Sequence, residues 1–366
     1  MQRALSRLSA FVKPTSSDST AATRSTSRTM SPDTADRHDD AEILSSRKEW
    51  QRELESLPTL EETGGKIPSI FLAHGQPMLI MPPHLVEMSS RLSALADIQG
   101  PTGLLANFLR DLGPFVLERY KPKAVVVLSA HWETAGSGGT VTDYGAENPL
   151  LYDYFGFPPE LYDVKFRSSG DSTLSRRIVE LLRHGGIDDA KLTTEDEPRG
   201  DDGRGFKGSG LDHGVFVPFK LMFGDKCSIP IVQVSISSDL SPDHQRKLGK
   251  ALEPLRSEGV LVIAGGLTIH TFQDFAAFSP KSAKAPYRSF ESALVRAVSD
   301  PSYASRTAAL DDLVEHSAFR LAHPREEHFV PVYVAAGASD EAEREEGKRA
   351  KVVCGLWGAK TVFFGV

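Results

Sequence analysis

"VVVLSAHWET" (residues 125–134) decides how this chain is read. It opens as an unbroken β-branched and apolar run, then stops at His131, Trp132 and Glu133. A run without polar alternation reads as a strand buried on both faces, the kind found in parallel sheets covered by helices. A buried strand that hands over to an imidazole, an indole and a carboxylate suggests a site at its C-terminal end. Open α/β sheets hold their ligands there.

The same pattern recurs on either side. "IPSIFLA" (67–73) ends at His74, and "VLVIAGGLTIH" (260–270) ends at His270. "IPIVQVSI" (229–236) is a further strand. "GLLANFLRDLGPFVLERY" (103–120), "STLSRRIVELLRHGG" (172–186) and "SPDHQRKLGKALEPLRSEG" (241–259) have helical periodicity, with Gly after the second and third. "HFVPVYVAAGA" (328–338) fits helix or strand, and "AKVVCGLWGAKTVFFGV" (350–366) fits a closing hairpin. Strands alternating with helices predict a single-domain α/β sandwich around a mostly parallel, mixed central sheet.

That domain is expected to run over residues 66–366. Residues 1–65 read as an N-terminal extension with one short helix, where Ser46 and Glu49 have capping-box spacing. The first 30 residues hold five Arg or Lys, one Asp and many Ser and Thr. That composition fits a mitochondrial transit peptide or an unstructured tail, and the tail is the preferred reading. The polar insert "EDEPRGDDGRGFKGSG" (195–210) reads as a mobile loop.

Composition excludes several classes. With a net charge of −7, the chain has no basic footprint for nucleic acid or an anionic membrane. No apolar stretch approaches the roughly 18–20 residues that span a bilayer. Two cysteines, Cys227 and Cys354, make no disulfide framework. A reducing, cytoplasmic setting follows, with mitochondrial import left open by the N-terminus. The oligomeric state is not legible.

Histidine is the informative residue. His74, His131 and His270 close three strands, and strand ends on one edge of a parallel sheet converge in space. His213 in "LDHG" and His328 in "REEHF" sit in turn-like contexts. A lone histidine at a strand end is usually structural; three with the same placement point to a shared ion. There is no HExxH, no GxSxG and no Walker loop. Imidazole with carboxylate or water suits Zn(II), Fe(II) or Mn(II).

The ordered set "FLAHGQPM", "VVVLSAHWET", "DYFGFPPELYDVKF", "GLDHGVFVPF", "GGLTIH" and "REEHFVPVYVAAGA" resembles the class III extradiol ring-cleaving dioxygenases, in the DOPA 4,5-dioxygenase branch. The resemblance covers about 300 residues, from Ile67 onward. It implies one mononuclear non-haem centre that inserts O2 into a catechol, such as DOPA, to give a ring-opened semialdehyde. By position it makes His74, His131, His270 and His328 metal-site residues. It casts His213 and His270 as the proton-transfer pair, His270 being a ligand or the acid/base beside it. The expected cofactor is one divalent metal, Fe(II) for activity or Zn(II). The expected partners are a small aromatic substrate and O2.

Asp212 or Glu133 is expected to orient an imidazole, Asp212 having a turn cap as its competing role. Tyr154, Phe155 and Phe157, with Tyr152, are candidates to line a flat ring. The competing functions are a zinc-dependent hydrolase using the same histidines, and a metal-binding protein without turnover.

Overall fold

The computed structural model describes residues 46–366, except 89, 94, 198, 200–205, 207 and 346, and leaves the side chains of 90 and 91 undescribed. The expected tail and much of the 195–210 insert therefore lie outside the described residues. Eight strands form one sheet: β1 (Ser69–Ala73), β2 (Ala124–Thr134), β3 (Thr140–Thr142), β4 (Lys191–Thr193), β5 (Ile231–Ser237), β6 (Val260–Gly266), β7 (Lys351–Cys354) and β8 (Thr361–Phe364). Their order is β4-β3-β5-β2-β6-β1-β8-β7. The central four, β5-β2-β6-β1, are mutually parallel. The β7–β8 hairpin joins β1 antiparallel, and β3 meets β5 antiparallel. The sheet is thus mixed around a parallel centre.

Helices of seven residues or more are α1 (Arg47–Glu55), α2 (Leu104–Tyr120), α3 (Ser172–His184), α4 (His213–Phe223), α5 (Pro242–Leu252), α6 (Ala285–Ser299), α7 (Tyr303–Asp311) and α8 (Pro331–Gly337). They cover both faces of the sheet. Within β2, Val126 and Leu128 point into one core with residues of α3, α5, α6 and α8. Val125 and Val127 point into the other with residues of α1, α2 and α4. Successive side chains of a strand face opposite ways, so the uniform apolar run is what two covered faces require.

Some local readings change in the fold. The segment 328–338 resolves as helix over Pro331–Gly337. His213, expected in a turn, is the first residue of α4, with Asp212 at the N-cap position. The short strands β3 and β4 and the helices α6 and α7 were not legible. Ser46 and Glu49 do form a capping box. The helix they start is docked: Trp50 is fully buried against Phe108 of α2, ring centroids 5.8 Å apart, and its Nε1 donates to Asp111 at 3.0 Å.

Candidate metal centre

The parallel register brings the strand ends together. Ala73 pairs with Gly266, and Gly265 pairs with both Leu72 and Ser129. His74 follows Ala73 directly, and its backbone N–H donates to Gly266 O at 3.1 Å. Strand β2 then departs from its ladder. Leu128 pairs with Val234, but the next paired residue is Glu133, opposite Ile236. Residues 129–132 bulge from the ladder with β5, Ser129 still pairing with Gly265 of β6, and such a bulge re-aims the side chains it carries. His131 lies on this bulge.

His328 arrives from the other direction, in the turn before α8. Its carbonyl accepts from Leu267 N–H at 2.8 Å, laying the turn across the end of β6. Two glycines make room. A Cβ on Gly266 would sit 2.3 Å from His328 O, and one on Gly214 would sit 2.7 Å from both His131 Cδ2 and Ser129 Oγ.

His74, His131 and His328 each offer a ring nitrogen to one buried point, these atoms all lying within 4.8 Å of one another. His131 Nε2 and His328 Nε2 are 3.2 Å apart. Two nitrogens about 2.1 Å from one ion lie roughly 3.0–3.4 Å apart at tetrahedral or octahedral angles. The far side of each ring faces a carboxylate. His328 Nδ1 is 2.9 Å from Glu327 Oε1, and His131 Nδ1 is 3.4 Å from Asp153 Oδ2. With N–H assigned to each Nδ1, the two Nε2 lone pairs confront each other, an arrangement that a cation relieves.

His74 supplies the sharpest sign. Its side chain is 1% exposed, and among the described residues neither ring nitrogen has a hydrogen-bond partner. Buried polar groups are ordinarily satisfied, and each exception needs a cause. Burial, and next the neighbouring His213, push its pKa down to about 3, so the ring is neutral and fit to ligate. The donor set therefore fits one divalent cation.

The other two histidines flank this trio. The rings of His213 and His131 lie 4.0 Å apart. His213 Nδ1 and backbone N–H both reach Asp153 Oδ1 at 2.8 Å. His270 does not join the inner trio. Its ring stacks on His328 at 3.4 Å and 15°, and its Nδ1 lies 3.6 Å from Glu327. Burial and then His328 hold its pKa well below 6.5. The β6–His270 link is pinned by Gly358 O, which accepts from the N–H groups of Thr268 and Ile269 at 3.2 Å each. His323 pins it again, its Nε2 donating to Thr268 O at 3.0 Å.

The carboxylates differ from expectation. Asp212 makes no side-chain cap and touches no imidazole ring nitrogen by hydrogen bond. Its oxygens accept from Ser129 Oγ at 2.8 Å, Arg199 Nη2 at 2.9 Å and Gln233 Nε2 at 2.5 Å. Glu133 carries a bidentate pair with Arg325. Asp153, which the sequence reading passed over, orients His213. Its only signal was position: a single acid between two tyrosines in an apolar run.

Among the aromatic candidates, Tyr154 is buried with its ring 5.6 Å from His213 and its hydroxyl on Leu161 O at 2.5 Å. Phe157 packs behind Tyr154 at 5.4 Å, and Tyr152 packs against Phe216 at 5.6 Å. Phe155 is exposed. Phe272, also exposed, stands edge-on to His270 at 5.0 Å.

Known proteins give this geometry a context. Residues 70–365 match the family described as the catalytic LigB subunit of aromatic ring-opening dioxygenase. A 4,5-DOPA dioxygenase extradiol-like protein of Schizosaccharomyces pombe is 41% identical over 318 residues, spanning 87% of this chain and 97% of that protein. A 4,5-DOPA dioxygenase extradiol of Beta vulgaris is 36% identical over 302 residues, spanning 81% and 94%. The crystal structure of an uncharacterized protein from Escherichia coli K12 shares the fold, with a TM-score of 0.55 at 22% identity, over 82% of this chain and all of that one. No helix among the described residues is long and apolar enough to cross a membrane. From the length of the family match and its agreement with the site, the chain belongs to the family of the LigB catalytic subunit of aromatic ring-opening dioxygenases.

Proposed function

We propose that this chain is an extradiol dioxygenase that opens a catechol with O2 at one divalent metal ion held by His74, His131 and His328. The observation that carries the reading is His74: two ring nitrogens buried without a partner, beside an imidazole pair at ligand spacing. DOPA is the proposed substrate, in line with the names of the Schizosaccharomyces pombe and Beta vulgaris relatives. Fe(II) is the proposed metal. When bound, it supplies the redox-active meeting point that triplet O2 and a singlet catechol need in order to react.

The chain's own residues handle the protons. Asp153 accepts the Nδ1–H of His213 and so leaves Nε2 as an acceptor. His213 then takes a proton from a catechol hydroxyl as the substrate binds, and the neighbouring Tyr154 lines the ring. His270 is the second proton-transfer group. Its stacking on His328 supports a role beside the ligands rather than among them, with the Glu327 carboxylate 3.6 Å from its Nδ1. Both oxygen atoms of O2 end in the ring-opened semialdehyde.

Anaerobic reconstitution with Fe(II), followed by a catechol panel that includes DOPA, tests this. Equimolar consumption of O2 and catechol with a new yellow chromophore is the expected result. A metal-loaded protein that consumes no O2 with any catechol overturns it, and hydrolytic turnover with Zn(II) would replace it.

A further inference from the structure

We infer that Arg199 is a positioning residue of the metal centre, clamping the β2 bulge that presents His131. The inference rests on the metal site proposed above. Arg199 comes from the polar insert, yet its side chain is 1% exposed and paired with an Asp212 side chain at 0%. An arginine carried by a Gly- and Asp-rich stretch has no need to be buried for solubility, and burying it without a partner would be costly.

Its contacts bracket His131. On one side the guanidinium Nη2 donates to Asp212 Oδ2 at 2.9 Å. The other Asp212 oxygen accepts from Ser129 Oγ at 2.8 Å, and that hydroxyl accepts the backbone N–H of His131 at 3.1 Å. On the other side the guanidinium lies over the Trp132 ring at 4.4 Å, and Arg199 O accepts from Trp132 Nε1 at 3.1 Å. Residues 129 and 132, at the two ends of the bulge, are thus both tied to Arg199, Trp132 directly and Ser129 through Asp212. Asp212 also precedes His213, so the same clamp reaches the start of α4.

Arginine is required by geometry. Its planar fork serves Asp212 and, through Nη1, Gly210 O at 2.9 Å while its face stacks on the indole. A lysine supplies the charge but neither the fork nor the face. The residue touches no metal ligand's ring and acts through Ser129, Trp132 and Asp212. Arg199 therefore supports the centre from outside the histidine cluster.

The test compares Arg199→Lys and Arg199→Met with the wild type and with Arg306→Met. The last breaks an equally buried pair, Arg306–Glu343, outside the histidine cluster. Zn(II) affinity is read by competition with a chromophoric chelator, alongside thermal stability and the kcat and KM of the Fe(II) form. Loss of an outer contact to a metal site typically weakens affinity about 10–100-fold. Both Arg199 variants are expected to bind Zn(II) more than threefold more weakly and to lose kcat more than they raise KM. Arg306→Met should lose stability yet bind Zn(II) like the wild type. If Arg199→Met does not fold, Arg199→Lys decides. Variants within threefold of the wild type in Zn(II) affinity overturn the clamp alone; a wild type that binds no metal overturns the centre, and the clamp with it.

Discussion

At the scale of single residues, the centre depends on where each imidazole keeps its proton. Asp153 and Glu327 stand behind His131 and His328, so the Nε2 atoms of the two rings face each other. In the proposed reading His213 stands outside the ligand set, so removing it separates ligation from proton transfer. His213→Ala is expected to retain the metal, measured by elemental analysis, while kcat falls about 10²–10⁴-fold. Loss of the metal in that variant would make His213 a ligand.

His323 offers a pH test read in stability alone. In the unfolded chain an imidazole titrates near about 6.5; in the fold, burial holds His323 down to about 4. Between those values the unfolded chain takes up a proton that the native state refuses. Stability is therefore full above pH ~6.5 and drains as pH falls, by about 1.4 kcal/mol per pH unit from this group. His323→Gln keeps a donor for Thr268 O without titrating. Denaturant midpoints at pH 7 and pH 5 should fall less in the variant; equal falls would remove His323 from the account.

At the scale of elements, the β2 bulge and the first turn of α4 are built against each other with no room for a methyl group. Gly214→Ala would drive a Cβ to 2.7 Å from His131 Cδ2. Overpacking of this kind costs about 1–3 kcal/mol. The expected outcome is a folded protein with weakened metal binding, read by chelator competition. Wild-type affinity would show that the bulge has slack.

The same elements show what sequence reveals. Strands β1, β2 and β6 were legible from short β-branched runs with turn signals beyond them. Only His74 directly follows its strand: β2 runs on past His131 to Thr134, and β6 stops at Gly266, four residues before His270. Helix α4 was not: "HGVFVPFKLMF" is almost wholly buried, so no polar face marks its period. The strands β3 and β4 are three residues each and leave no pattern. Which histidines meet was partly hidden too. His328 reaches the inner trio, and His270 stacks outside it, because a turn crosses the end of β6. The Asp153–His213 bond joins residues 60 apart, which no local pattern encodes.

At the scale of the whole molecule, stability and chemistry are separable. Helix α1 docks Trp50 and Leu54, with Leu57 just beyond it, on the core that backs α2. Trp50→Ala should cost about 3–5 kcal/mol in urea unfolding and leave kcat unchanged at low temperature, because no site residue touches it. A large fall in kcat at unchanged stability would mean that this core shapes the centre directly.

The most direct measurement is an anomalous-scattering map of crystals of the anaerobically Fe(II)-loaded protein. One ion is expected, with His74, His131 and His328 nitrogens each within about 2.0–2.2 Å and the His270 and His213 nitrogens beyond bonding distance. An ion bound elsewhere, or one coordinated by His270 in place of a member of the trio, would contradict the account.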